Sequence, residues 1–358
     1  MVLTSAKRRM LSGNAEEEEG RDDTWSALPT EILNMITSRL ILEDNVRASA
    51  VCKSWLRSAV SVRVSDRPPW LMYFPKAGDM YEFFDPSSLE TSILELPELN
   101  GCLVRYSNDG WLLMQNPRSD SLFFFNPFTR DLIDLPTLED TPFTIAFSSA
   151  PTSGNCWLFT GRPLDVGQAE ISTLLVGMET EWTTELYETE LPFFFENQNK
   201  IVFSNDRFYC LSSIDWIAAF DPFLRSWEIL NVNPPGCPYN HYHTDKGWRK
   251  FLAEHEGEVI AVFSRNGIRN PHVYRLDMEH SRWRNTKNLE GMAIFASSLS
   301  SQTRSNVAGQ MRGNVCLANP GYFRSRRLPW SADADDVDNG CLEQWPYSFI
   351  WIDAPKNF

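Results

Sequence analysis

Cys237, His241 and His243 crowd into "GCPYNHYH", and sulfur and imidazole ligands at such spacing suit a zinc ion. A tetrahedral site needs a fourth ligand, and the nearest further histidine is His255. The stretch therefore reads as a surface loop, and no metal or other cofactor is expected. Carboxylates pair at Asp335-Asp336, but within the polar run 331–340, which follows the basic "FRSRR" at 323–327. This plus-then-minus segment, 321–345, reads as an insertion between strands, with a peptide-binding role as the alternative. The chain holds no phosphate-cradling glycine loop, no dinucleotide pattern and no nucleophile elbow. Nothing in it brings an acid, a base and a nucleophile together, so its residue types point to binding rather than to bond chemistry.

Charge and cysteine use narrow the kinds of partner. The chain has 358 residues and a formal net charge of −14, which argues against a nucleic-acid binder held by phosphate contacts. Residues 1–24 hold four basic and six acidic side chains, and 25–62 hold four basic and three acidic ones, so the surplus of acid belongs to 63–358. No apolar run is long enough to span a bilayer, so no membrane partner is expected, and the N-terminus lacks a secretory h-region. Seven cysteines stand singly, with no CxxC pair. Reduced thiols in the cytoplasm or nucleus are the expectation.

The elements that would position a binding surface are written as a repeat. "FFDPSSLETSILELP" from Phe83, "FFFNPFTRDLIDLP" from Phe123 and "AFDPFLRSWEILNVNPP" from Ala219 share one grammar. An apolar run meets Asp or Asn, then Pro, then a second alternating run. Proline fixes φ at the first corner, and the Asp or Asn side chain can accept turn N–H groups. Two copies lack the proline, at 174–188 and 273–289. Trp182, Trp227 and Trp283 fall early in the second strand of their units. From Asp85 through Asn126, Gly177 and Asp221 to Asp277 the steps are irregular, as in a β-propeller whose extra length lies in loops.

The second and fourth units fill out to four strands: "CLVRY", "GWLLMQ", "SLFFFN", "DLIDL", then "KIVFS", "RFYCLS", "DWIAAF", "SWEILNV". The last unit gives only "AIFASSLS", "GNVCLAN" and "YSFIWIDA", and "VSVRVS" at 60–65 is the expected closing strand. The count reads as six four-stranded blades, with five or seven open and a β-sandwich as the competing fold.

Residues 25–62 have a different texture. Pro29 suits a first helical position, and Ile32, Ile36 and Leu40 recur at helical spacing with Leu33 beside them. Asp44 or Asn45 is expected to cap a second helix. Val51, Trp55 and Ala59, with Cys52 and Leu56, make another stripe. So small a helical piece cannot bury all this apolar surface by itself, and a partner is expected.

"LPTEILNMITSRL" followed by "DNVRASAVCKSWLRS" resembles an F-box, through Leu28, Pro29, Ile32, Leu33, Leu40, Val51, Cys52 and Trp55, with Asp44 and Arg47 also fitting. The remainder is similar to the plant F-box proteins with a kelch-like C-terminal domain, although the Gly-Gly pair of kelch blades is absent. The acidic run "EEEE" at 16–19 reads as part of a disordered tail over 1–24, and the resemblance implies a three-helix all-α F-box over 25–62 and an all-β propeller over 63–358. It further implies that Leu28, Pro29, Ile32, Leu33, Ile36, Leu40, Val51, Cys52 and Trp55 bind a Skp-type adaptor, and through it a cullin. The propeller would then recruit an unknown protein substrate to a ubiquitin ligase, with no catalysis of its own. A propeller enzyme or carbohydrate-binding module, and an adaptor-binding regulator without a degradative role, are the alternatives.

Overall fold

The computed structural model describes residues 28–40, 42–61, 66–75, 78–139, 144–165, 167–188, 200–233, 248–265, 271–307, 309–318 and 349–354. Three helices come first: α1 Thr30–Thr37, α2 Leu42–Ser49 and α3 Lys53–Ser61. Strands follow. β1 Trp70–Tyr73, β2 Met80–Asp85 and β3 Glu90–Glu95 precede β4 Leu103–Asn108, β5 Trp111–Asn116, β6 Ser121–Phe125 and β7 Leu132–Asp134. Then come β8 Thr144–Phe147, β9 Trp157–Asp165, β10 Gln168–Leu175 and β11 Thr183–Glu188, and β12 Ile201–Ser204, β13 Arg207–Leu211, β14 Ile217–Asp221 and β15 Ser226–Ile229. β16 Trp248–His255, β17 Glu258–Arg265, β18 His272–Asp277 and β19 Arg282–Asn285 make the next set, before β20 Ala293–Ala296, β21 Ser301–Arg304, β22 Val315–Leu317 and β23 Phe349–Ile352.

These strands form six sheets, the blades of a propeller. Among the described residues five blades carry four strands and the sixth carries three, in the order β21-β20-β22. Blade 1 is β23-β1-β2-β3, so its innermost strand comes from the far end of the chain. Trp70 faces Ile352 and Leu71 faces Trp351 across this antiparallel joint. The expected closing strand at 60–65 is corrected here: Val60 and Ser61 belong to α3, and 62–65 lie outside the described residues. The physical reason is burial. Ile350, Trp351 and Ile352 are buried to the last atom on both sheet faces, whereas Val60 is half exposed on a helix. "AIFASSLS" also differs from its expected single strand. Only its first four residues form β20, the rest turns into β21 at Ser301, and β22 then runs parallel to β20, so the chain threads blade 6 in an order unlike the others.

The repeated sentence is a turn. The Asp85 carboxylate accepts the Ser87 N–H at 2.7 Å, Asn126 accepts those of Phe128 and Thr129 at 3.0 and 3.1 Å, and Asp221 those of Phe223 and Leu224 at 3.0 and 2.9 Å. Asp277 accepts the His280 N–H at 3.2 Å, without a proline. Four residues after each acid or amide the backbone turns left-handed, at Leu89, Arg130, Arg225 and Ser281, with φ of 60°, 63°, 49° and 48°. Non-glycine residues seldom adopt this φ, and the satisfied turn holds them there. Blade 3 replaces the device with a longer turn through Gly177.

At the same end of the ring, the turns leaving the inner strands stitch blades together. Gly110 donates to Asp353 at 3.0 Å, joining blade 2 to blade 1, and Ala150 donates to Asp109 at 3.0 Å, joining blade 3 to blade 2. Asn205 donates to the Gly257 carbonyl at 2.8 Å, and Thr303 to that of Glu254 at 2.7 Å. Arg304 pairs with Asp353 and closes the circle. Blades 3 and 4 are joined differently, by Phe159, which stacks on Phe208 at 5.2 Å and meets Phe220 at a tilt of 48° and 5.4 Å.

Cys156, Cys210 and Cys316 are buried in the inter-blade clusters, and burial pushes all three thiols up, that of Cys156 to about 12. The thiolate is the reactive form, so at pH 8 these three are protected in the folded chain. Brief iodoacetamide treatment followed by peptide mass spectrometry is expected to modify the half-buried Cys52 and Cys102 first. Early labelling of Cys156 would contradict this packing.

Candidate functional site

The helical module has an unusual interior. Leu33 and Ala59 are buried, but so are Thr37, Asn45 and Ser58. The Asn45 amide donates to the Thr37 carbonyl at 3.3 Å and to the Ala59 carbonyl at 3.2 Å, tying the three helices together. Thr37 Oγ1 lies 2.8 Å from Ser58 Oγ, and Ser58 donates to Asn34 Oδ1 at 2.7 Å. Thr37 can also reach the Leu33 carbonyl at 2.7 Å. Each hydroxyl has one proton, so one of them must release its second acceptor when the Thr37–Ser58 bond forms. Asp44 and Asn45 therefore do not start α2 as caps. They lie inside it, and Asn45 is a tether. Pro29 stands one place outside α1, at its N-cap, with ψ of 144°.

A polar interior leaves the apolar side chains outside. Ile32 and Met35, one turn apart on α1, are 40% and 49% exposed, and Val46, Val51, Leu56 and Val60 are exposed as well. A surface of this kind on so small a module marks a place where another molecule docks.

The second concave region is the mouth of the propeller channel. It encloses about 270 Å³ and is lined from all six blades, by Asp353, Asn108, Ser148, Phe203, Glu254 and Arg304 among others. The carboxylates of Asp109 and Asp353 are held by the stitches already described, that of Glu254 accepts the Gly257 N–H at 2.6 Å, and the Tyr106 hydroxyl donates across the ring to the Ile201 carbonyl at 3.2 Å. Burial and the neighbouring Cys210 and Asp109 push that phenol far up, so it stays a proton donor. Behind Thr303, the His255 imidazole lies 3.0 Å from the Thr303 hydroxyl and 3.3 Å from that of Ser305.

The family-level comparisons now bear on both regions. A model described as KIB1-4 beta-propeller matches residues 83–337, and one described as F-box-like matches 25–64. The chain belongs to the KIB1-4 β-propeller family. An F-box/kelch-repeat protein of Arabidopsis thaliana is 40% identical over 352 residues, covering 95% of this chain and 97% of that protein. An F-box protein of the same plant is 40% identical over 344 residues, covering 95% of this chain and 91% of that one. The kelch-like reading of the propeller holds at the level of the family, without any Gly-Gly pair.

Within this family member, the residues singled out from sequence divide by exposure. Pro29, Ile32 and Val51 are exposed, and Leu28, Ile36, Leu40, Cys52 and Trp55 are half-buried. Leu33 is 1% exposed, so it supports the surface from behind instead of forming it. Met35, Val46 and Val60 are surface members that the sequence reading passed over, although Met35 lies three residues after Ile32 on the same helix. Cys237, His241, His243, Asp335 and Asp336 lie outside the described residues. Among the described residues no three metal-ligating side chains gather, and no helix is long and apolar enough to cross a membrane.

Proposed function

We propose that the chain is the substrate-receptor subunit of a Skp–cullin–F-box ubiquitin ligase. The helical module docks on the Skp-type adaptor, and the propeller holds a protein target for ubiquitin transfer by another subunit. The observation that carries this reading is the apolar outer surface of an F-box-like module whose own interior is largely polar. Leu28, Pro29, Ile32, Ile36, Leu40, Val51, Cys52 and Trp55 make the adaptor contact, joined by Met35, with Leu33 holding α1 in place. The propeller's part is presentation, because its ring offers turns and loops at both ends.

The test uses the full chain and a purified Skp-type adaptor. Ile32→Asp places a charge on an exposed anchor without disturbing the interior, since Ile32 is not a core residue. Loss of a buried anchor at an interface costs about 2 kcal/mol or more, roughly 30-fold in affinity. The variant is expected to lose adaptor binding by at least that factor while its melting curve is unchanged. Equal binding by Ile32→Asp and the unaltered chain would remove the adaptor reading, and a Leu33→Ala variant, which disturbs the interior, would not rescue it.

A further inference from the structure

One face of blade 3 breaks the pattern of the ring. In four other blades, the cross-strand pairs packed against the preceding blade are apolar: Leu71–Phe84, Met114–Phe123, Phe208–Phe220 and Ala261–Tyr274. All eight are buried. Blade 3 keeps one such pair, Leu158–Leu174, but the next two pairs along the same face are polar, Thr160–Ser172 and Arg162–Glu170. Phe147 on this face packs on Tyr106 and Phe124 of blade 2, but the polar end opens a cleft of about 880 Å³, backed by the connection 136–139. That volume falls in the range of about 300–1,000 Å³ usual for small-ligand sites.

The floor of the cleft is built. Thr160 and Ser172 are 5% and 3% exposed. Ser172 and Thr184 share a hydrogen bond of 2.8 Å, while the Thr160 hydroxyl lines the cleft with no partner among the described residues. Arg162 holds Glu170 in a fork, Nε to Oε1 at 2.6 Å and Nη2 to Oε2 at 3.1 Å. Trp182 flanks the floor, its ring fixed by an Nε1–H bond of 2.9 Å to the Pro136 carbonyl. The Thr160 hydroxyl opens to the cleft rather than to a protein partner, so it is available to a bound ligand.

We propose that this cleft binds a neutral, hydroxyl-rich ligand, an oligosaccharide. Arg162 offers only donors and Glu170 only acceptors, side by side, and adjacent sugar hydroxyls can meet both at once. The Thr160, Ser172 and Thr184 hydroxyls donate or accept as the ligand requires. Trp182 supplies the apolar surface against which the C–H face of a sugar ring packs. The floor has no net charge, because Arg162 cancels Glu170. The remaining acids, Glu139 and Glu181, are exposed at the rim, where they disfavour anions and are screened. The site lies in the propeller and does not depend on the adaptor reading. Were both to hold, the target would be recognised through its glycan.

The probe is a set of four soluble oligosaccharides, cellotetraose, maltotriose, xylotriose and chitotriose, titrated into the full chain by calorimetry with saturation-transfer NMR as a second readout. At least one is expected to bind with Kd below about 1 mM, and Thr160→Val, which keeps the side-chain size, to weaken it about tenfold with unchanged melting. Glu170→Gln, which keeps the shape of the fork and removes its charge, gives the same readout should Thr160→Val fail to fold. Absence of binding by all four at about 10 mM overturns the proposal. So does equal binding by the folded variants, or retention of a lysine-rich peptide with no sugar bound.

Discussion

Replacing Trp351 by alanine should destabilise the propeller by about 3–5 kcal/mol, a large share of the roughly 5–15 kcal/mol that holds a domain together. The side chain is fully buried, stands edge-on to Phe295 at 5.1 Å and donates Nε1–H to the Ala296 carbonyl at 3.3 Å. It thus ties blade 1, where its strand pairs, to blade 6, where its ring packs. Deleting residues 349–358 should do more. It strips β1 of its inner neighbour, opens an apolar strand edge and removes Asp353, which accepts from Gly110 and pairs with Arg304. The expected result is a chain that aggregates or melts without a sharp transition. Urea midpoints for the point variant, and calorimetry with light scattering for the deletion, measure both. A deletion variant that melts like the intact chain would mean that the ring closes without β23.

Asn45→Ala is expected to have the second large effect, confined to the helices. One amide satisfies two buried carbonyls, on α1 and α3, from a residue that is itself 3% exposed. Leaving buried acceptors unpaired costs about 1–3 kcal/mol. Among the described residues no large apolar core compensates, because the module's other buried residues there are Leu33, Ala59, Thr37 and Ser58. Hydrogen exchange over 30–61 should quicken by about 30-fold, the equivalent of roughly 2 kcal/mol, while the propeller amides keep their rates. Adaptor binding should fall with it, since the outer surface depends on the helices staying together. Unchanged exchange in the helices would show that Asn45 is not their tether.

What the sequence disclosed follows from the range of the forces involved. The turn at Asp85, Asn126 and Asp221 is set by neighbours a few residues away, so its residues announce it, and the six-blade reading rests on it. The near-continuous apolar runs in "RFYCL" and "IAAFD" mark strands buried on both faces, as found in β13 and β14. Ring closure was not legible, because "FIWI" and "WLMY" pair across nearly the whole chain and nothing local says which end supplies the strand. "VSVRVS" alternates as a strand would, yet its first two residues continue a helix whose inward face is Ser58 and Ala59. Asn45 carried a capping signal and became a buried tether, a role that needs α1 and α3 in place to be visible. The cleft of blade 3 was hidden for a related reason. "TGRPL" and "AEIST" look like ordinary half-exposed strands until the register sets Thr160 beside Ser172 and Arg162 beside Glu170, on a face that other blades fill with aromatic and aliphatic groups.

The joint between β1 and β23 also sets a clock on biosynthesis. The first strand of blade 1 leaves the ribosome roughly 280 residues before its inner partner, which at about 5–20 residues per second is a wait of roughly 15–60 s. During that interval β1 presents an unpaired, apolar edge while blades 2 to 5, each made from consecutive strands, are free to assemble. The nascent protein is therefore a string of finished blades with one sticky end, and it becomes a ring only once residues 349–352 have been made. A premature stop anywhere before residue 349 leaves that edge open, so truncated messages yield chains that holdase chaperones and proteases can tell apart from finished ones.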